Sequence, residues 1–254
     1  MRAKLQRPQT IARNIVVMLR NVLERIRKPI IDGVETKSIQ GVRKVDDEYR
    51  SYTYIKKDPD FSHLLSRAKY RRLYEEVGTV DANKNPVWRE EWMNYFRPLP
   101  GRRILELGSH NGCNLLYYGQ EGFEIDGVEL SSSLIAIFEA HKKQLPDEVQ
   151  NRIRVFQGWI EEFFTSDRYD YVLCTEILEH VIDPLTVLVK AEECLKLGGE
   201  VYISSPEERC GNNTHVRGVP PNELKIWLSQ ARLSPIKLWV EEGRTFCHAR
   251  KDLL

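Results

Sequence analysis

The sequence predicts an α/β fold, in which a mostly parallel sheet ends in an antiparallel hairpin and follows a helical extension. From Gly101 onward, short apolar runs alternate with segments of helical periodicity, which is the pattern of parallel strands joined by crossover helices. Near the end of the chain, two strand-like runs at 236–240 and 245–251 flank Glu242 and Gly243. These two runs predict the terminal hairpin.

The length and charge of the chain limit what it can be. A chain of 254 residues has room for one α/β core of roughly 150 to 200 residues and an appendage. Lys and Arg number 38 and Asp and Glu 37, so the chain has no strong positive field that would concentrate RNA or DNA. Nucleic acid is therefore not the partner that we expect first.

Cysteine usage and hydropathy favour a soluble, cytoplasmic protein. The five cysteines are scattered without a Cys-x-x-Cys pair, so neither a disulfide framework nor a zinc ribbon is indicated. No apolar run approaches the roughly 20 residues that a membrane-spanning helix needs. The first apolar stretch also lacks a small-residue cleavage site in the usual place.

Residues 1–47 are predicted to form a basic amphipathic helix followed by an irregular arm. Between Ile11 and Ile26, apolar residues recur every three or four positions, which places them opposite the arginines on a helix. Glu24 is the only acid before Ile30. We expect the apolar side to pack on the neighbouring domain; peripheral contact with an anionic membrane or a protein partner is the alternative.

Residues 48–100 are predicted to form a helical cap. The first cap helix should begin near Asp60 or Ser62 and continue to Val77, where Gly78 ends it.

The second cap helix should begin at Asn85 and Pro86, a cap residue followed by a first-turn proline, and end before Pro98. The cap is rich in aromatic residues, which are more typical of core and lid packing than of substrate binding. The same residues are the best candidates for an aromatic wall over a site: Tyr49, Tyr52, Tyr54, Tyr70, Tyr74, Trp88 and Trp92.

A strand, a glycine turn and a helix follow the cap. The strand, 103–107, leads into Gly108 and Gly112, and a helix is predicted over 113–119. Glycine allows the backbone to approach a ligand closely, and the N-terminus of a helix presents unpaired N–H groups to a carboxylate. The turn is therefore a candidate binding site.

Glu129 ends the next predicted strand, roughly 20 residues beyond the glycine turn, where a carboxylate can accept both hydroxyls of a ribose. This feature alone would suit NAD. A dinucleotide site, however, favours Gly-x-Gly-x-x-Gly, whereas this turn begins with Glu106 inside the strand. Glu106 would repel a pyrophosphate and attract a cationic amino acid tail.

The later elements place acids and histidines at one edge of the sheet. These elements are a strand over 170–175, a helix from Asp183 and Pro184 to 196–199, a strand over 201–204, a loop with His215, and a helix over 222–232. In open parallel sheets, ligands bind beyond the carboxyl ends of the strands. Glu176, Glu179 and His180 directly follow a strand, so we expect them at a ligand site.

Residues 104–114, 127–131 and 170–206 resemble, in this order, the motifs of class I S-adenosylmethionine-dependent methyltransferases, which have a Rossmann-like fold. Among these enzymes, the motifs are most similar to those of the ubiquinone-biosynthesis O-methyltransferases. The resemblance extends over residues 101–254, which would form the catalytic domain.

The resemblance implies a set of cofactor-binding residues: Glu106, Gly108, Ser109, Gly112, Glu129, Leu130, Trp159, Ile160 and Thr175. The first four would hold the methionine part, Glu129 the ribose, and the turn at 158–160 the adenine. His110 replaces the usual middle glycine of the turn, and Trp159 replaces the usual acid that meets the adenine amino group. We therefore expect a slightly different turn, and adenine recognition through backbone N–H groups and stacking.

The resemblance also implies a reaction site with His180 and Glu176 as catalytic residues. In some relatives, a Glu-x-x-Glu-His segment and a later histidine bind a divalent ion that grips two neighbouring hydroxyls. The matching residues here are Glu176, Glu179, His180 and His215. A cation such as Mg²⁺ would orient a hydroxyl and lower its pKa. A metal-free site with His180 as base and a purely structural role remain open.

The predicted function is methyl transfer from S-adenosylmethionine to an oxygen of a small hydroxylated acceptor, such as a sugar, a glycan precursor or a phenol. A small-RNA 2′-O-methyltransferase is the nearest enzymatic alternative, and the near-neutral charge counts against it. A non-catalytic scaffold that docks through the basic N-terminal helix is an alternative of a different class. An NAD-dependent dehydrogenase is the most distant alternative.

Overall fold

The computed structural model describes residues 42–45, 48–51, 66–81, 86–209 and 214–252. The predicted basic helix therefore lies outside the described residues. The end of the predicted irregular arm forms β1 (Val42–Val45), and the start of the predicted helical cap forms β2 (Glu48–Ser51); the two strands pair as a small antiparallel hairpin. Within the described ranges, every helix is too short or too polar to cross a lipid bilayer.

The first cap helix, α1 (Arg67–Asp81), continues past the glycine that was predicted to end it. Gly78 is buried inside this helix, and a Cβ atom placed on it would lie 2.6 Å from the Cβ of Ser133. The prediction was wrong because this glycine permits close packing with a neighbouring helix and does not serve as a cap.

The second cap helix, in contrast, is shorter than predicted. Only α2 (Glu90–Met93) is helical, and Arg89 has an extended backbone. The Trp88 indole stacks on the Tyr117 ring with 4.2 Å between the ring centroids. Pro86 therefore does not start a helix: residues 86–89 are not helical, and Trp88 packs on the sheet domain.

Seven strands form one sheet, in the order β5-β4-β3-β6-β7-β9-β8. They are β3 (Arg103–Leu107), β4 (Glu124–Glu129), β5 (Ile153–Gln157), β6 (Tyr169–Thr175), β7 (Leu195–Pro206), β8 (Leu233–Glu241) and β9 (Arg244–Lys251). The strands β3 to β7 run parallel, and β9 is antiparallel to both β7 and β8. This order confirms the predicted Rossmann-like sheet with a terminal antiparallel hairpin.

One boundary in the sheet differs from the prediction. Residues 196–199 were expected to end a helix, but they belong to the first half of β7. The register between β6 and β7 shifts between Tyr169 and Tyr171, which lie opposite Leu195 and Glu200. This irregularity lets the strand continue through the two glycines that suggested a helix end.

Helices cover both faces of the sheet. They are α3 (Cys113–Gln120), α4 (Ser132–Lys142), α5 (Asp147–Gln150), α6 (Pro184–Cys194) and α7 (Pro221–Gln230). Asp183 caps α6 by accepting a hydrogen bond from Leu185 N, as its sequence position predicted. Alternation along β3 sends Leu105 and Ile104 into separate apolar clusters, one on each side of the sheet.

Helix α1 is attached to the start of α4 by one carboxylate. Glu75 accepts hydrogen bonds from Ser132 N at 2.9 Å, Ser133 N at 3.1 Å and Ser131 Oγ at 3.1 Å. Burial alone would raise the pKa of Glu75, but the hydrogen bonds from Ser132 and Ser133 lower it to about 2. The Glu75 carboxylate thus caps the N-terminus of α4, although it belongs to α1. Its negative charge also interacts favourably with the positive end of the α4 dipole.

We expect Glu75→Ala to lower the melting temperature by roughly 2 to 6 °C, because losing a helix cap costs about 0.5 to 2 kcal/mol. Glu76→Ala is the matched control, since Glu76 is exposed and its ion pair among the described residues is with Arg72 on the same helix. The pKa of Glu75 is lower in the folded protein, so its contribution is present above about pH 4.5 and lost towards about pH 2. Equal melting temperatures for the two variants at pH 7 would contradict the capping role.

Candidate active site

A cavity of about 1470 Å³ opens where the carboxyl ends of β3, β4, β6 and β7 meet. Sites for one drug-sized ligand usually measure roughly 300 to 1,000 Å³, so this cavity has room for two molecules. Helix α1 covers it with Tyr70, Leu73, Tyr74 and Val77.

The glycine turn lies at the end of β3, as predicted. Gly108, His110 and Gly112 all have positive φ, at 80°, 50° and 75°. A Cβ on Gly108 would lie 2.6 Å from the Ile177 side chain, and one on Gly112 would lie 2.3 Å from the Phe138 ring. Both glycines are thus required by the backbone and by packing inside the protein, a reason that sequence analysis did not find.

Glu106 is buried at the floor of the cavity. Its Oε1 accepts hydrogen bonds from Asn114 Nδ2 at 2.6 Å and Thr175 Oγ1 at 3.0 Å, while Oε2 has no partner among the described residues. Burial raises the pKa of Glu106 to about 7. An ammonium group of a ligand would satisfy the second oxygen and favour the ionised form. Asn114 orients the Glu106 carboxylate, a role that was not predicted from the sequence.

Glu129 joins the glycine turn to the start of α4. Its two oxygens accept hydrogen bonds from His110 N and Ser131 N, each at 2.8 Å. Burial raises the pKa of Glu129 to about 7, even though these backbone hydrogen bonds lower it. Each carboxylate oxygen keeps a lone pair that can accept a ligand hydroxyl.

The predicted adenine turn forms one side wall of the cavity, together with Leu130. Gly158 N donates to the Glu129 carbonyl at 2.9 Å, which places the turn beside the end of β4. The guanidinium of Arg67 lies 4.3 Å from the centre of the Trp159 ring and pairs with Glu161 and Glu162. Helix α1 therefore also contacts the predicted adenine turn, through an arginine that the sequence did not single out.

At the opposite end, the structure brings together Glu179, His180 and His215. One ligand atom from each residue lies within 4.8 Å of the others. His180 Nδ1 lies 3.1 Å from the Thr214 carbonyl, and a carbonyl can only accept, so we assign the proton to Nδ1. His180 Nε2 then presents a lone pair, 3.9 Å from Glu179 Oε1.

Burial sets the charge of this end of the cavity. It lowers the pKa of both His180 and His215 to about 4, so the two imidazoles are neutral at pH 7. Burial raises the pKa of Glu179 to about 7, and the hydrogen bond from Ser205 Oγ opposes this rise. Glu179 Oε1 and His215 Nδ1 are buried without a hydrogen bond among the described residues.

Glu176, the fourth predicted ligand, has other partners. Its Oε1 accepts from Ser204 Oγ at 3.3 Å and forms an ion pair with Arg244. Burial and the charge of Glu179 raise the pKa of Glu176 to about 8, while Arg244 opposes the rise. Glu176 also has a φ of 50°, a costly conformation for a residue other than glycine.

Two of the predicted aromatic residues face this end from α1. Tyr70 Oη donates to the His180 carbonyl at 3.2 Å, and the Tyr74 ring meets the His180 imidazole edge-on with 6.0 Å between centroids. Trp92 also lines the cavity. Arg89 and Cys113 line it as well; burial raises the pKa of the Cys113 thiol to about 12, and the charge of Arg89 only partly opposes this rise. Neither Arg89 nor Arg244 follows a recognisable motif.

Comparison with known proteins gives the site its context. Residues 85–251 match the family model described as a methyltransferase domain. A ubiquinone biosynthesis O-methyltransferase of Alkalilimnicola ehrlichii is 34% identical over 178 residues, which cover 66% of this chain and 70% of the relative. The enzyme of the same name from Pseudomonas entomophila is 28% identical over 121 residues, or 48% of this chain and about half (51%) of that relative.

Solved structures agree with the fold. The glycopeptide N-methyltransferase MtfA in complex with S-adenosylmethionine superposes with a TM-score of 0.52 at 17% identity, over 68% of this chain and 93% of that chain. The CcbJ methyltransferase from Streptomyces caelestis gives a TM-score of 0.55 at 15% identity, over 61% of this chain and 85% of that chain. With the family match, these findings confirm the resemblance: the chain belongs to the methyltransferase domain family and is an S-adenosylmethionine-dependent methyltransferase.

Proposed function

We propose that the protein methylates a hydroxyl oxygen of a small acceptor with two neighbouring hydroxyls, a catechol or a sugar diol, and that a divalent cation assists. The observation that carries this proposal is the pair of lone-pair-bearing atoms, Glu179 Oε1 and His180 Nε2, that face each other at 3.9 Å. Two acceptors in this arrangement repel unless a proton or a cation lies between them.

S-adenosylmethionine would supply the methyl group on its sulfonium. The Glu106 carboxylate would hold the ammonium of the methionine part, with Gly108, Ser109 and the first turn of α3 around it. Glu129 would accept the ribose hydroxyls, and the Trp159–Ile160 turn with Leu130 would enclose the adenine. The unpartnered Oε2 of Glu106 supports this assignment, since a buried carboxylate oxygen without a donor is costly.

The donor set at the other end fits a hard divalent cation such as Mg²⁺ or Mn²⁺, which would act as a Lewis acid on a bound hydroxyl. Glu179, His180 and His215 would supply one ligand atom each. The Thr214 carbonyl fixes the tautomer of His180, an arrangement common behind metal-bound histidines. Both imidazoles are neutral at pH 7, as metal ligation requires.

A metal-free reaction is the second candidate, and the lone pair on His180 Nε2 favours it. In this alternative, His180 would accept the proton of the acceptor hydroxyl, and Glu176 would orient that hydroxyl. The low pKa of His180 makes it a weak base, which is why we prefer the cation-assisted proposal.

The names of the relatives support an oxygen acceptor. The curated relatives are O-methyltransferases of ubiquinone biosynthesis. A small-RNA acceptor would require salt-sensitive RNA binding, and the net charge of +1 gives no reason to expect it. A non-catalytic scaffold would not bind S-adenosylhomocysteine with useful affinity.

The direct test is to incubate the protein with S-adenosylmethionine and either pyrocatechol or a vicinal sugar diol, and to measure S-adenosylhomocysteine formation with MgCl₂ or EDTA. We expect turnover with at least one diol, and at least a tenfold loss in EDTA that added Mg²⁺ restores. His215→Asn should show the same loss in MgCl₂, whereas His141→Asn on α4 should not. Full activity in EDTA would eliminate the cation and leave His180 as the base.

A further inference from the structure

Glu176 lies close to the proposed metal ligands in sequence and its carboxylate touches that of Glu179, but its other contacts are with a different set of residues. Among the described residues, the clustered ligand atoms come from Glu179, His180 and His215. The Oε1 atom of Glu176 meets Ser204 Oγ and the guanidinium of Arg244 instead. Three of the four predicted metal ligands thus cluster, whereas the fourth, Glu176, pairs with Arg244.

The terminal hairpin carries Arg244 to this position. Arg244 is the first residue of β9 and pairs in register with Pro206, the last residue of β7. The turn before it is tight, with φ of 49° at Glu242 and 71° at Gly243. Glu207 N donates to the Gly243 carbonyl at 2.9 Å and fixes this turn at the mouth of the cavity.

The guanidinium is held in place once it reaches the cavity. Its side chain is 22% exposed, and its Cζ atom lies 5.2 Å from the centre of the Trp92 ring. A guanidinium stacked on an aromatic ring and paired with a carboxylate has lost most of its freedom. The contact with Glu176 is therefore a built feature of the fold.

Charge explains why the division matters. Glu176 and Glu179 are buried and close enough that the charge of one opposes ionisation of the other. Nearby positive charge favours the ionised form of both carboxylates. The Arg244 guanidinium acts on both, but it pairs directly with Glu176, so Glu179 and the two neutral imidazoles remain for a divalent cation.

We propose that Arg244 is a positioning residue that keeps Glu176 off the cation, so that the site has three protein ligands. This inference rests on the proposed function. Mg²⁺ and Mn²⁺ favour six ligands, so three protein ligands leave positions for both hydroxyls of a diol and a water molecule. With Glu176 as a fourth ligand, less room would remain for the acceptor.

Mn²⁺ binding to the S-adenosylhomocysteine-saturated protein, followed by electron paramagnetic resonance of free Mn²⁺, tests the proposal without any acceptor. We expect Glu176→Gln to bind Mn²⁺ within about twofold of wild type, and Glu179→Gln to bind at least tenfold more weakly, as losses at metal sites usually do. Arg244→Met should bind Mn²⁺ about tenfold more tightly, because Glu176 is released to join the cation. Arg244→Lys, which keeps the charge, should resemble wild type.

The double variant separates ligation from simple charge. In the Arg244→Met background, Glu176→Gln should remove the tenfold gain, so the effects of the two substitutions should not add. Additive effects, or a loss in Glu176→Gln as large as in Glu179→Gln, would overturn the proposal. A wild-type protein that binds S-adenosylhomocysteine but no Mn²⁺ would overturn both this inference and the cation, and would leave the cofactor site intact.

Discussion

Replacement of Glu129 by Ala is expected to weaken S-adenosylhomocysteine binding by about 100-fold or more. Each oxygen of this buried carboxylate holds a backbone N–H, from His110 and from Ser131, and each would also accept a ribose hydroxyl. Hydrogen bonds to a charged group contribute roughly 1.5 to 3 kcal/mol each, and 100-fold corresponds to about 2.7 kcal/mol. Isothermal titration calorimetry measures the change directly.

Glu124→Ala is the matched control, because Glu124 begins the same strand but is exposed, and within the described part of the chain it pairs with Arg103. Glu129→Gln preserves the side-chain volume and should also bind poorly, which separates loss of contacts from loss of folding. Wild-type affinity should fall below about pH 7, since protonation of Glu106 and Glu129 removes the charges that favour the ligand. Unchanged affinity in a folded Glu129→Ala protein would refute the assigned ribose site.

Substitution of Gly112 by Ala is expected to lower the melting temperature by roughly 4 to 20 °C. Left-handed backbone costs a residue other than glycine about 1 to 2 kcal/mol, and overpacking of a core adds about 1 to 3 kcal/mol. Gly112 would incur both costs, since its φ is 75° and an added Cβ would lie 2.3 Å from Phe138. A domain of this size loses roughly 2 to 4 °C per kcal/mol, and calorimetry provides the measurement.

Gly101→Ala isolates the backbone cost. Gly101 has a φ of 72°, but a Cβ on it would meet nothing within 4 Å. The melting temperature of the Gly101→Ala variant should therefore fall by roughly 2 to 8 °C, and by less than that of the Gly112→Ala variant. If the two variants melt together, the Phe138 contact has no energetic role, and the glycine turn is required for its backbone conformation alone.

The sheet and the glycine turn could be predicted because they depend on local patterns. Buried parallel strands appear as short apolar runs, and a turn with positive φ needs glycine wherever it occurs. Gly78 and Pro86 were misleading in the sequence because distant residues compete there with local propensity: Gly78 packs against Ser133, and Trp88, two residues after Pro86, stacks on Tyr117. Local propensity is a weak predictor where tertiary contacts compete with it.

The candidate site divides in the same way. Glu106 and Glu129 could be located from the predicted strands. Glu106 lies within the strand that leads into the glycine turn, and Glu129 ends the next strand. The position of Arg244 could not, since the pairing of β7 with β9 carries it to Glu176, and no sequence motif records that pairing. The contact of Glu75 with the start of α4 likewise joins two distant segments.

The Glu75 contact has a consequence for the speed of the catalytic cycle. Ser131 N donates to Glu129, and the Ser131 hydroxyl donates to Glu75, so one serine connects the ribose carboxylate with the helix above the cavity. Spent S-adenosylhomocysteine leaves a deep site only when its cover loosens. With Glu129 as the proposed ribose ligand, we expect the serine that links it to α1 to slow the release of S-adenosylhomocysteine, so that tighter binding of the cofactor opposes turnover.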